Sequence, residues 1–390
     1  MIADLHAHYA MSLLPEADGR PYDLLVTPHG RARLRDGIRA RLVHFAGRFA
    51  NYRDVFSGPR VTVASMQQGG VGVACSVLYS FFDELTVEKP YAAAPESGYL
   101  ATLVRQLELV ERDIAAKHGA SAAVAHDPAE LDAALATGRT AFVHCVEGGF
   151  HLGPTPADVD RAITELARRG VAYVTLAHLV WRRVATNAPA VPFLPDHVYR
   201  LLFRQPSEGL SDLGEAAVRA MVRERVLIDL SHMSDRSVAD TFALLDELDP
   251  DRRVPVIASH AGFRFGGQEY AIQEQTLRRI AERGGVVGLI FAQHQLLDGL
   301  RHRKTKTFEQ SFEVICRHVD RIAEITGSHR HVGLGSDFDG FIKPTLGGLE
   351  SMADMARLEA ALHERYGEAD AELITSGNAL RLLRGYWRGA

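Results

Sequence analysis

Cysteine is scarce in this chain. Three occur among 390 residues, Cys75, Cys145 and Cys316, scattered and odd in number. That excludes a disulfide framework and a thiolate zinc cage, and it suits a reducing cytoplasm. An excess of positive charge is lacking too: 44 basic against 49 acidic residues give a net charge of -5. No electrostatic footprint for nucleic acid results. No apolar run reaches the roughly 18 residues needed to span a bilayer, and no basic region followed by an apolar stretch opens the chain. A soluble cytoplasmic protein with neither a nucleic-acid nor a membrane partner is therefore expected. Internal repeats, low-complexity tracts and coiled-coil heptads are missing as well.

What is present is an ordinary globular composition, 46% hydrophobic, enough for one large core and a single domain over 1–390. Eight short apolar runs read as strands: 1–8, 71–80, 140–148, 171–178, 226–232, 254–260, 286–292 and 331–338. Between most of them lie stretches of helical period, such as DVDRAITELARRG and DLGEAAVRAMVRER. Alternating strands and helices imply a parallel sheet, and eight such units imply a (β/α)8 TIM barrel of the α/β class. A doubly wound open sheet is the alternative. Residues 18–62, Arg-rich and helical in texture, are expected to form extra helices inserted between the first two strands. Residues 189–210, with Pro192, Pro195 and Pro206, read as a loop with one short helix.

The polar residues fall at the ends of these runs. The first ends in DLHAH, where two-residue spacing puts His6 and His8 on one face of a strand. The third ends in Glu147, the fourth in His178, the fifth in His232, the sixth in His260 and the eighth in Asp337. In a barrel those ends converge on one rim, where active sites are built. Each residue alone would be an ordinary hydrogen-bonded histidine or carboxylate; together they read as a metal site. Imidazole and carboxylate donors suit Zn²⁺ and related ions. Five candidate ligands, His6, His8, Glu147, His232 and His260, exceed what one open catalytic ion needs. They suit two ions sharing the Glu147 carboxylate and a hydroxide. Lysine is absent between Lys117 and Lys304, so a carboxylated lysine cannot be the bridge on the fourth strand.

The stretches GGVGVACSVLYS, VEGG around Glu147, YVTLAH, GLSDLGEAAVRAMVRERVLIDLSHMS, VPVIASH, GLGSDFDG and GNALRLL resemble the membrane (renal) dipeptidases, zinc peptidases related to the amidohydrolases. The likeness spans nearly the whole chain in order. It implies that Glu147 bridges two zinc ions, that His232 and His260 hold one and His6 the other. It further implies that His178 polarises the scissile carbonyl and that Asp337 is the acid/base. Three departures stand out. His8 replaces the aspartate usual in the first-strand motif. The arginine that receives the substrate carboxylate is missing, with Tyr270 near its position and Arg264 as the nearest replacement. The aromatic residue expected after the seventh strand is replaced by the run GLIFAQHQL.

The expected function is a dinuclear zinc dipeptidase acting on a small-molecule substrate, with a homodimer allowed by analogy. The alternatives are an amidohydrolase acting on another amide, lactone or ester, and a non-catalytic metal-binding barrel. Gln293, His294, Trp181, Arg182, Arg183 and Asn187 are candidates for the mouth. Asp339 is expected to support a turn, His144 to face the helices, and His151, His318, His329 and His331 to be loop or surface groups.

Overall fold

The computed structural model describes residues 1–14, 59–84, 91–191, 194–301, 304–340, 342 and 344–387. The expected extra helices between the first two strands fall almost wholly outside the described residues.

Nine strands occur among them: β1 (Ile2–Ala7), β2 (Val71–Leu78), β3 (Ala122–Ala125), β4 (Thr140–Glu147), β5 (Tyr173–Thr175), β6 (Leu227–Asp229), β7 (Val256–Ala261), β8 (Val286–Leu289) and β9 (Val332–Leu334). All pair in parallel, in the order β2-β1-β9-β8-β7-β6-β5-β4, and β4 returns to β2 from Val73↔Ala141 to Leu78↔Val146. The ring is closed, so those eight strands form a parallel barrel with helices around it, and no edge is left open.

The ninth strand is a correction to the count of eight. β3 pairs with the first half of β4, Ala122↔Thr140 to Ala125↔Val143. β5 takes over the same flank at Val146↔Val174 and Glu147↔Thr175. The sequence AAVA carries little β propensity and no alternation. Only the vacant half-flank of β4 makes it a strand.

The helices form where the sequence supplies both a cap and an apolar stripe. Thr155 accepts a hydrogen bond from Asp158 N, Pro156 opens the helix Pro156–Arg168, and Val159, Ala162, Ile163, Leu166 and Ala167 are its buried side. The helix Asp212–Glu224 is capped by Ser211 and buries Leu213, Ala217, Val218, Ala220 and Met221. It packs beside the previous helix, so both stripes are shared. Strand ends approach closely at one place that matters for the site. A Cβ on Gly335, just past β9, would collide with the Ser259 carbonyl of β7.

Candidate metal centre

Six barrel strands deliver polar side chains to one rim. His6 lies within β1 and His8 one residue beyond it; Glu147 is the last residue of β4, and His260 lies in β7. His178 follows β5 by three residues, as do His232 after β6 and Asp337 after β9. His232 and Asp337 take positive φ, 65° and 58°. Non-glycine residues seldom adopt this left-handed conformation, and it turns each side chain back over the barrel mouth.

Glu147 stands at the centre. Its Oε1 is 3.3 Å from His6 Nε2, 3.3 Å from His232 Nε2 and 3.4 Å from His260 Nε2. Its Oε2 is 3.6 Å from His8 Nε2 and 3.3 Å from His178 Nε2. His232 and His260 approach to 2.9 Å through their Nε2 atoms, and His6 and His8 to 3.2 Å. Asp337 Oδ1 lies 3.1 Å from His8 Nε2 and 3.8 Å from His6 Nε2. Nitrogen ligands held tetrahedrally roughly 2.0–2.1 Å from zinc would stand about 3.3 Å apart. The observed spacings are those of ligands converging on common ions. Three groups of three have the compactness a cation needs: His6, Glu147 and His260; His6, His8 and Asp337; Glu147, His178 and His232.

Hydrogen bonds behind the cluster fix which ring nitrogen faces it. The Tyr173 hydroxyl has one proton, and it goes to the Leu5 carbonyl at 2.8 Å. Toward His6 Nδ1, at 2.8 Å, Tyr173 can then only accept. His6 therefore carries its proton on Nδ1 and turns a bare Nε2 lone pair inward. His260 follows the same logic. Ser259 Oγ donates to Asp229 Oδ2 at 2.6 Å and so accepts from His260 Nδ1 at 2.8 Å. Asp229 is the hub of this layer, with Oδ1 receiving Ser231 N, Ser231 Oγ and Ser259 N, and Oδ2 also receiving Thr175 Oγ1 at 2.6 Å. Inward-facing lone pairs beside a carboxylate suit a cation, and such outer partners are the usual means of orienting metal-binding imidazoles.

The two acids of the site are pushed apart. Burial opposes charge on Glu147, but the fields of the surrounding imidazoles, His178 first and then His6, hold its carboxyl well below the usual range. Burial, followed by the Glu147 charge among the raising effects, drives Asp337 well above it. The two carboxyls thus lie on opposite sides of the ordinary range, the pattern of an acid/base site. Burial also disfavours charge on His178, yet Glu147 and Glu84 outweigh it and lift the imidazole to about 9. Glu84 was not foreseen. Its Oε2 is 2.6 Å from His178 Nδ1.

Other expected residues do different work. Arg264 is a correction: its Nη1 and Nη2 donate to both oxygens of Asp235 at 2.7 Å, Nε to the Ala271 carbonyl at 2.8 Å, and Nη2 also to the Glu269 carbonyl at 2.7 Å. The fork that would grip a substrate carboxylate is filled from within the chain. Tyr270 does enter the site, donating to the His260 carbonyl at 2.9 Å and standing edge-on to His232. Gln293 ties Thr305 to Thr345, and Asn187 bonds the carbonyls of Leu179 and Ala188, so both order loops. Arg182 is buried between Tyr99 and Phe150. His294 lines a cavity of about 280 Å³ with Asp196, Gln268 and Gln295, which none of the cluster's side chains enters. Asp339 accepts the N–H groups of Arg60 and Val61, a turn-supporting role. His144 is fully buried and pairs outward with Glu111 at 3.7 Å. His151 and His318 are corrections. Both are buried, His151 bridging Ser80 N and the Gly148 carbonyl, His318 bridging Phe263 N and the Leu296 carbonyl.

A closed (β/α)8 barrel with clustered imidazoles and carboxylates at its C-terminal rim defines a metal-binding barrel. The chain belongs to the membrane dipeptidase family (peptidase family M19), whose sequence profile matches residues 37–386. Among curated relatives, an uncharacterized dipeptidase of Schizosaccharomyces pombe is 31% identical over 63% of this chain and 52% of its own length. Dipeptidase tcpJ of Claviceps purpurea is 26% identical over 80% of this chain and 67% of its own. The chain thus spans about half of one relative and two thirds of the other. Among solved structures, a metallopeptidase named dipeptidase AC superposes with a TM-score of 0.70 at 20% identity, covering 100% of this chain and 99% of that one. A Rhodobacter sphaeroides metallopeptidase, liganded with a phosphinate mimic of L-Ala-D-Ala, gives 0.66 at 21% identity over 98% of both chains. At these identities the superpositions speak for the fold.

Proposed function

We propose that this protein is a dinuclear zinc dipeptidase. The observation that carries the reading is the single Glu147 carboxylate with the Nε2 atoms of His6, His8, His232 and His260 at 3.3–3.6 Å from it. His232, His260 and Glu147 would hold one ion; His6, His8 and Glu147 would hold the other. Ions held there supply a water of lowered pKa and an electrophile for a carbonyl oxygen. In its charged form Asp337, beside His8, accepts the proton of the attacking water, and burial, which favours its protonated form, helps it hold that proton until it passes to the leaving amine. His178 presents Nε2 to the scissile carbonyl and stabilises the oxygen as charge develops. With His8 where the family has an aspartate, the cluster carries one negative charge fewer. The buried, unpaired thiols of Cys75, Cys145 and Cys316 support a reducing compartment.

A second reading rests on Arg264. With its guanidinium held by Asp235, the described residues offer no arginine fork after His260 for a free carboxylate, which favours a neutral amide, lactone or ester. A screen of zinc-loaded protein against L,L- and L,D-dipeptides, their C-terminal amides, N-acyl amino acids and lactones decides between them. Cleavage of free dipeptides in preference to their amides supports the dipeptidase. Turnover of neutral substrates alone overturns it.

A further inference from the structure

We propose that Glu84 is a positioning residue that aims His178 at the reacting carbonyl, with Tyr79 and the backbone of Val180 holding Glu84 in turn. The inference rests on the role given to His178 above and adds residues that neither the family likeness nor the strand pattern assigns.

Glu84 closes the short helical turn Phe81–Glu84 that follows β2. It is buried, and both of its oxygens are used. Oε2 accepts the Tyr79 hydroxyl at 2.6 Å and faces His178 Nδ1 at 2.6 Å, while Oε1 accepts Val180 N at 2.9 Å. Arg182 Nη1 donates to the Glu84 carbonyl at 2.9 Å, fixing the backbone as well. A charged carboxylate only accepts, so the proton between the pair sits on Nδ1. Nε2 is then the working end; it donates to the reacting oxygen when the ring carries its second proton, and it points to Glu147 at 3.3 Å.

The ring cannot turn away. Tyr79 packs edge-on to it with centroids 4.5 Å apart, and His232 lies 4.5 Å away in the same T-shaped manner. Val180 is two residues beyond His178, so the bond to its N–H fastens the same loop that carries the imidazole. One carboxylate therefore sets tautomer, ring plane and loop together. A glutamate outside the metal cluster, buried and taking two short bonds at one oxygen, has no other visible task. Partners of this kind, one bond behind a working imidazole, are typically worth about 10–100-fold.

The test is a mutant series read in three ways. Glu84→Gln should lower kcat by about 10–100-fold, leave KM within about twofold and leave the metal content unchanged. Glu84→Asp, which keeps the charge but shortens the arm, should fall between that variant and wild type and serves if Glu84→Gln does not fold. In a His178→Ala background either substitution should cost less than about twofold more, because residues acting through one another are not additive. Independent losses that multiply in the double variant, or an unchanged kcat in Glu84→Gln, overturn the proposal. The third readout needs no substrate. Nitrogen-15 spectra of histidine-labelled protein should show His178 with a protonated, strongly hydrogen-bonded Nδ1 that Glu84→Gln removes. If that proton is absent in the wild type, the positioning role fails. If it is present while no dipeptide is hydrolysed, the failure lies with the dipeptidase reading.

Discussion

At the scale of single residues, the site depends on partners that tell His6, His178 and His260 which nitrogen to present. His6 and His260 are held through Nδ1 by Tyr173 and Ser259, and Asp229 fixes Ser259. Ser259→Ala should therefore lower metal affinity by about 10–100-fold while every presumptive ligand stays in place; titration with a competing chelator measures this, and an unchanged affinity refutes it. Asp337→Asn keeps the shape but loses the proton carrier, so turnover should drop by about 10²–10⁴-fold with metal content retained. Elemental analysis beside single-turnover kinetics separates the two effects. Arg264 belongs to the frame. Arg264→Ala removes a bidentate pair with Asp235 and two carbonyl contacts, so it should cost about 1.5–3 kcal/mol of stability, seen as a lower Tm, with KM for dipeptides changed less than about twofold. A large rise in KM with Tm unaltered would restore it as the carboxylate receptor.

At the scale of elements, the strands are short and the turns after them carry the chemistry. β5, β6 and β9 each have three residues, and His178, His232 and Asp337 all stand three residues past their strands. The left-handed φ of His232 and Asp337 is imposed by those turns. Close packing at the rim makes the geometry stiff, and Gly335 is the point where this can be tested. Gly335→Ala would drive a methyl group into the Ser259 carbonyl. Overpacking of this kind costs about 1–3 kcal/mol. Because the displaced residue is the one that orients His260, zinc affinity should fall together with Tm. A stability loss with normal affinity would show that the rim yields without moving Ser259.

At the scale of the whole molecule, the cluster ties together strands from all around the barrel: β1, β4, the turns after β5, β6 and β9, and β7. Ions bound there cross-link segments far apart in sequence and bind the folded chain only. Removing them with a chelator should lower Tm. Restoring free zinc to 100 times its dissociation constant should return about 2.7 kcal/mol. Glu147→Gln should weaken both ions at once, since one carboxylate lies 3.3–3.6 Å from all four imidazoles proposed as ligands. Elemental analysis showing one ion lost and the other held at full strength would contradict a shared bridge.

The barrel was legible because its strands are nearly continuous apolar runs with helical stripes between them, a pattern that depends on local periodicity alone. The cluster at the rim was legible for a related reason: His6, His8, Glu147, His178, His232, His260 and Asp337 each interrupt or end such a run, and barrel closure must bring those ends to one rim. Asp229 and Ser259 gave a faint signal as polar residues inside apolar strands. Glu84 gave none, because it lies in a short turn and acquires a role only when the loop after β5 folds back against it. Arg264 shows the opposite limit. Its position after His260 suggested a substrate contact, but a guanidinium binds whichever acceptors reach it first, and Asp235 sits at the start of the helix that follows His232. Which strand flank β3 would fill, which ring nitrogen His6 and His260 would turn inward and which carboxyl burial would favour in its neutral form were settled by tertiary contact. Those outcomes depend on burial and on hydrogen bonds between residues far apart in sequence, 253 positions in Ser259 to His6 and 329 in His8 to Asp337, and no local pattern encodes them.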